Sequence, residues 1–133
     1  SIVMLDLDDF KKVNDSHGHP AGDKVLREFA MLVSGGARGT DLAARYGGEE
    51  FAMILPHTDR ERAERVAERV RAAVADFSFL EPDHPLRVTV SAGVATFTSS
   101  PDIASAEQLV AAADRALYAA KKAGKNRVVV HEP

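Results

Sequence analysis

Ile2-Val3-Met4-Leu5 is an unbroken apolar run near the start of the chain, and it gives way to the acidic segment Asp6-Leu7-Asp8-Asp9. Four successive apolar residues leave no polar face for water, the pattern of a strand buried on both sides. Such a strand belongs inside a sheet flanked by helices, and the remaining periodicities supply both. After Pro20-Ala21-Gly22, the residues Val25, Leu26, Phe29, Leu32 and Val33 recur at helical spacing, and Gly35-Gly36 provides the stop. Residues 42–46 and 51–55 read as two strands, with Gly47-Gly48 supplying the positive φ angles of a tight hairpin. Thr58 and Glu61 form a capping box for a helix whose inner face is Ala63, Val66, Ala67, Val70 and Val74. Residues 88–97 make the next strand, with Gly93 as a bulge. Ser105 and Gln108 cap a last helix carrying Leu109, Ala112, Ala113, Ala116, Leu117 and Ala120 inward; Gly124 ends it, and residues 127–131 close the chain as a strand. The order β-α-β-β-α-β, then α-β, predicts an α+β, ferredoxin-like split βαβ fold, with a mainly antiparallel central sheet flanked by helices. That arrangement hosts many functions, so function has to come from the site.

The chain carries no internal repeat, low-complexity stretch or linker, and 133 residues suffice for one domain, 1–133, with its own core. A composition of 45% hydrophobic and 28% charged residues is that of a globular protein, and no apolar run reaches the roughly 20 residues of a membrane helix. The absence of cysteine removes disulfides and thiolate metal sites and fits a reducing, cytoplasmic setting. A net charge of −3 argues against a nucleic-acid polymer as partner.

Two acidic groups lie where chemistry can assemble. Asp6 ends the first strand, and Glu49-Glu50 occupy a hairpin tip, so pairing of that hairpin beside the first strand brings Asp6 and Glu49 to one sheet edge. Hard divalent cations take one or two carboxylates together with substrate phosphates. Gly47 and Gly48 leave room for a nucleotide to approach the backbone. Acids at strand ends also serve simply as solvated charges, and spacing alone leaves both readings open.

The run Asp6-Leu7-Asp8-Asp9-Phe10-Lys11-Lys12-Val13-Asn14-Asp15, followed by Gly18-His19 and Gly22-Asp23, resembles the opening signature of the GGDEF family of diguanylate cyclases. Arg45-Tyr46-Gly47-Gly48-Glu49-Glu50-Phe51 resembles its namesake motif in the variant with Glu at the third position. Ser91-Ala92-Gly93-Val94, the run from Ala113 to Lys121, and Gly124-Lys125-Asn126 are similar to its later blocks. Four ordered blocks cover nearly the whole chain.

The resemblance implies condensation of two GTP into cyclic di-GMP. It implies Asp6, the Leu7 carbonyl and Glu49 as ligands of two Mg²⁺ or Mn²⁺ ions in a two-metal displacement. It further implies Asn14 and Asp23 on the guanine edge and His19 near the substrate. Lys11 would stabilise developing phosphate charge, Glu50 would assist deprotonation, and Lys121 and Lys125 would hold terminal phosphates. The amides of Asp9 and Phe10 would add an anion-binding nest. Lys121 and Lys125, one turn apart at a helix C-terminus, would also suit the helix dipole. Asn14-Asp15 and His17-Gly18-His19 read as turn residues with substrate contact, and Arg45 has no assigned role. Arg38-Gly39-Thr40-Asp41 fits the family's Arg-x-x-Asp inhibitory site for the product, with Arg69 as a secondary contact.

The resemblance implies an Asp-x-Leu-Thr motif and helix ahead of the first strand, linking it to an upstream sensory or regulatory domain; Ser1 opens almost directly on the strand. Catalysis implies a second copy of the domain, each bringing one GTP. A silent cyclic di-GMP or GTP receptor is the alternative; intact Asp6 and Glu49 favour an enzyme. An RNA-recognition module shares the strand order but stacks bases on sheet aromatics, and aromatics are 6% here.

Overall fold

The computed structural model of the chain describes residues 1–82, 85–97 and 101–132. The opening apolar run becomes β1 (Ile2–Leu7), followed by α1 (Phe10–His17), α2 (His19–Gly35), β2 (Leu42–Arg45) and β3 (Glu50–Ile54). Then come α3 (Arg60–Asp76), β4 (Val90–Ala95), α4 (Ala106–Lys122) and β5 (Val128–Val130). The strands form one sheet in the order β2-β3-β1-β4-β5. β1 is its middle strand, as two buried faces require, and pairs antiparallel with both β3 and β4. β2 lies antiparallel on β3, and β5 joins β4 in parallel. The first four strands thus show the expected split βαβ order, and α4 with β5 extends it by one strand.

Side chains alternate along β1, and the alternation divides the interior in two. Val3, Leu5 and Leu7 enter a core with Val25, Phe29 and Val33 of α2 and Val66, Val70 and Val74 of α3. Ile2 and Met4 enter a smaller core with Ala112, Ala113 and Leu117 of α4. Each of these Val, Leu, Ile, Met and Phe side chains contributes roughly 1.5–3 kcal/mol by burial, and each alanine methyl less. The same alternation places Asp6, next in the Ile2 and Met4 series, on the α4 side, and this is the link from strand pattern to site.

Four local expectations are corrected. Residues 10–17 form a helix rather than a turn, because Phe10 and Val13 bury one face of it against the core. That burial outweighs the weak helix propensity of Asn14, Asp15 and His17. The turn shrinks to Gly18, at φ 88°, whose N–H donates to the Asn14 carbonyl at 2.8 Å. The cap of α3 is Asp59, one residue later than Thr58: its carboxylate accepts from the Arg62 N–H at 2.9 Å, and the Thr58 hydroxyl donates to the Pro56 carbonyl instead. A carboxylate at that position gains from the helix dipole as well as the hydrogen bond.

Gly47 and Gly48 do not have positive φ. Residues 46–49 form a four-residue connection in which the Tyr46 and Gly47 N–H groups both donate to the Glu50 carbonyl, at 2.8 and 3.2 Å. A loop of that length does not need the left-handed residues of a two-residue hairpin. Gly93 is not a bulge either; it pairs in register with Met4 on one side and Val129 on the other. Its role is helix approach, since a Cβ there would lie 2.2 Å from the Ala113 carbonyl oxygen and 2.3 Å from the Leu117 nitrogen. The predicted cap of α4 is present, with Ser105 Oγ accepting from the Gln108 N–H at 3.2 Å. Among the described residues no helix is long and apolar enough to cross a membrane.

Gly93→Ala tests the close approach of α4. Its methyl group meets backbone atoms that cannot rotate away, so α4 must lift off the sheet. The expected cost is about 3 kcal/mol, the upper range for overpacking, read by urea denaturation; a loss below about 1 kcal/mol would show that the helix yields freely.

Candidate functional site

The C-terminal end of β1 is where the acidic residues meet. Register places Asp6 opposite Glu50 of β3 and opposite Ser91 of β4, and the Leu7 N–H donates to the Glu49 carbonyl at 3.4 Å. The hairpin thus pairs beside β1 as expected. Partial burial pushes the Asp6 carboxyl up to about 6; the Lys121 ammonium opposes the rise, and the negative charges of Glu49 and Glu50 add to it. Like charges facing each other across a strand pair destabilise the pair unless a cation intervenes.

That cation is Lys121, from the last turn of α4. Its side chain is only 23% exposed, and its Nζ lies 3.3 Å from Asp6 Oδ1, 3.2 Å from the Asp6 carbonyl, 3.4 Å from the Leu7 carbonyl and 2.8 Å from Asp8 Oδ1. Among the described residues no three His, Asp or Glu side chains gather as an ion cage. The donor set nevertheless fits a hard divalent ion. It offers the Asp6 carboxylate and main-chain oxygens to a positive charge, with Glu49 and Glu50 adjacent, and such ions need only one or two carboxylates when phosphates complete the shell.

Asp8 is the residue that reading the sequence did not single out. It is 5% exposed. Its carboxylate accepts from Thr89 Oγ1 and Ser91 Oγ at 2.7 Å each, from Lys121 Nζ at 2.8 Å and from the Asn126 N–H at 3.0 Å. Burial alone would raise this carboxyl, but the four donors together hold it below the usual carboxylate range. The available signal was its spacing: Asp6 and Asp8 are two apart at a strand end, so both acids face α4.

Asn14 of α1 lies against the start of α2, beside Gly22, the residue before Asp23. A methyl group on Gly22 would lie 1.8 Å from Asn14 Oδ1, so the missing side chain is what lets Asn14 sit beside the backbone next to Asp23. Asp23 lines a cavity of about 560 Å³ with Leu26, Arg27 and Phe51. Lys11 and His19 are exposed on the first turns of α1 and α2. Asp9, left-handed at φ 56°, turns the chain from β1 into α1, whose first amides, including that of Phe10, lack intrahelical partners. Lys125 is not on a helix, because α4 ends at Lys122. It lies past Gly124 at φ 65°, and its ammonium donates to Asp9 Oδ1 at 2.7 Å. Lys121 and Lys125 still converge on the β1–α1 loop, by different routes.

Arg45 acquires a role. Its guanidinium donates to the Gly47 carbonyl at 3.2 Å and twice to the Gly48 carbonyl, at 3.0 and 2.7 Å, fixing the hairpin tip. At the other end of β2, Arg38, Asp41 and Arg69 line one groove of about 600 Å³, joined by Arg62 and Arg65 of α3. The Arg38 N–H donates to Asp41 Oδ2 at 2.8 Å, and Arg69 reaches the Gly36 carbonyl at 3.4 Å. The structure therefore brings this trio together, apart from the acidic hairpin.

Residues 1–127 match the family described as diguanylate cyclase, GGDEF domain. The chain is 45% identical over 130 residues to diguanylate cyclase A of Treponema denticola, an alignment covering 98% of this chain and 34% of that protein. It is 44% identical over 131 residues to response regulator PleD of Caulobacter vibrioides, covering 97% and 28%. The chain thus spans about a third or less of these relatives. Among solved structures, the GGDEF domain of DgcB from Caulobacter crescentus in complex with c-di-GMP superposes with a TM-score of 0.89 at 37% identity, covering 99% of this chain and 77% of that one.

Proposed function

The chain belongs to the diguanylate cyclase GGDEF domain family, and we propose that it condenses two GTP into cyclic di-GMP and two pyrophosphates. Each 3′-hydroxyl attacks the α-phosphate of the other nucleotide. The observation that carries this reading is the meeting of Asp6, the Leu7 carbonyl and the Glu49-Glu50 hairpin beside Lys121 at one sheet edge. Bound there, two Mg²⁺ or Mn²⁺ ions would supply Lewis acidity toward the phosphates and a lowered pKa for the attacking hydroxyl.

The chain's own residues account for the rest. Asp6, the Leu7 carbonyl and Glu49 are the proposed ligands, and Glu50 assists the departure of the hydroxyl proton. Asn14 and Asp23 recognise guanine, because a carboxylate accepts from its N1–H and 2-amino groups whereas adenine offers no such donor pair. His19 lies near the substrate. The amides of Asp9 and Phe10, with Lys125 and Lys121, receive the phosphates, and Lys11 offsets their developing charge. One domain holds one GTP, so the working unit is two copies with their sites facing. An upstream sensory or regulatory domain sets that arrangement in the full-length protein, whose catalytic domain faces the cytoplasm whether or not the whole is membrane-anchored. The intact carboxylate pair favours an enzyme over a silent receptor.

The groove of Arg38, Asp41 and Arg69 is the proposed product site. Arginine forks grip guanine edges and phosphates bidentately, and product held there by two domains would keep their catalytic faces apart.

Glu49→Ala or Asp6→Ala is expected to abolish cyclic di-GMP formation from GTP and Mg²⁺ while circular dichroism stays that of the parent; full turnover by either variant removes that residue from the ligand set. GTP should bind well and ATP poorly, since a site built around a hydrogen-bonding edge rejects partners that leave it unpaired, and equal calorimetric affinities would dismiss Asn14 and Asp23 as base readers. Arg38→Ala should weaken product binding by about 1.5–3 kcal/mol, the scale of a charge-assisted hydrogen bond, and leave GTP affinity unchanged. A parallel fall in both affinities would merge the two sites into one.

A further inference from the structure

Lys121 stands in a place that holding a terminal phosphate does not explain. Its ammonium is turned inward, 77% of its side chain is covered, and three of its four oxygen contacts are the Asp6 carboxylate, the Asp6 carbonyl and the Leu7 carbonyl. Two of those three, Asp6 Oδ1 and the Leu7 oxygen, belong to the proposed ligand set of a divalent ion. An ammonium and a divalent cation cannot share the same oxygen lone pairs at these distances, because two like charges about 4 Å apart repel by several kcal/mol at an effective dielectric near 20.

We propose that Lys121 is a built-in counter-cation that occupies the ion's oxygens in the ligand-free domain, and that Asp8 is the positioning residue onto which it withdraws when the ion enters. The inference rests on the metal-site reading given above.

The geometry supports each half. Register forces Asp6 against Glu50 whether or not an ion is present, so the ligand-free fold needs a positive charge at this edge, and α4 delivers one from its last turn. The shortest Lys121 contact, 2.8 Å, is to Asp8 and not to any ion ligand. Asp8 is immobilised independently by Ser91, Thr89 and the Asn126 N–H. A lysine stem is long and flexible, and a rotation about its terminal bonds can release Asp6 and Leu7 while keeping Asp8. The withdrawn ammonium then lies beside the β1–α1 loop, where the phosphates of the proposed substrate would arrive, so entry of the ion and presentation of the lysine are one event.

The test is Mn²⁺ binding to the nucleotide-free protein, followed by calorimetry and by electron paramagnetic resonance of the free ion. Lys121→Gln should bind Mn²⁺ about tenfold tighter than the parent, or more, since a competitor has been removed. Lys12→Gln, which deletes an equal charge salt-bridged to Asp9 on the neighbouring loop, should change the affinity by less than about twofold. Asp8→Asn should weaken Mn²⁺ binding in the parent, because the ammonium loses its alternative partner, and should have much less effect in the Lys121→Gln background. Thermal melting accompanies each variant, and the Lys121 comparison stands even if Asp8→Asn fails to fold.

Unchanged or weaker Mn²⁺ binding in Lys121→Gln overturns the counter-cation role. An equal loss from Asp8→Asn in both backgrounds overturns its positioning role. Tight binding that survives Glu49→Gln in the Lys121→Gln background would place the ion elsewhere, and that outcome defeats the metal-site reading itself.

Discussion

Around the buried carboxylate of Asp8, five parts of the chain are tied at one point. It sits at the end of β1 and accepts from Ser91 on β4, from Thr89 just before β4, from Lys121 on α4 and from the Asn126 N–H in the turn before β5. A buried charge is tolerable only when its lone pairs are filled, and here burial and satisfaction come together. Breaking such a cluster costs more than making it gains, because the partners left behind remain buried. The position of Lys121, and through it the electrostatics of the whole acidic edge, follows from this anchor. So does the turn at Lys125 and Asn126, both in the left-handed region, where the Asn126 N–H is delivered to the carboxylate.

A second constraint is how closely α4 lies on the sheet. Gly93 and the alanine face of α4 let the helix backbone nearly touch β4. A thicker interface would carry Lys121 away from β1, since its reach to Asp6 and Asp8 is set by helix height. The core packing of the small cluster and the chemistry of the edge are therefore one problem, solved by residues too small to have attracted notice as site residues. The opposite end of β2 is organised differently. There arginines from α3 and from the segment before β2 face a single groove with Asp41. Opposite charge at the two ends of one hairpin suits two anionic ligands of different kinds: one that arrives with its cations and one that is gripped directly.

Much of this was present in the sequence. The apolar run of β1 demanded a central strand, and the spacing of Val25, Leu26, Phe29 and Val33, or of Ala112, Ala113, Ala116 and Leu117, predicted helices that exist with those faces inward. The acids at the end of β1 and at the hairpin tip were visible as an approaching pair, and the ordered motifs named the family. The misreadings share a cause. Asn14 and Asp15 looked like turn residues because local propensity says so, and burial of Phe10 and Val13 overruled it. Gly93 looked like a bulge and Gly47-Gly48 like a primed turn because glycine signals only freedom, without saying whether φ or space is what it provides.

Sequence alone determined which residues were apolar at which period, hence the order of the strands and of the three long helices, the two faces of β1, and that Asp6 shares a face with Ile2 and Met4. These are properties of near neighbours along the chain. Tertiary structure decided everything that depends on distance between remote segments: that Lys121 points into the acids, that Lys125 leaves the helix to meet Asp9, that Arg45 clamps the hairpin, and that Asp8 is a hub. Those contacts span up to 118 residues. No local periodicity encodes them, because a side chain's partner across the sheet is set by register and helix height, which exist only once the core has packed.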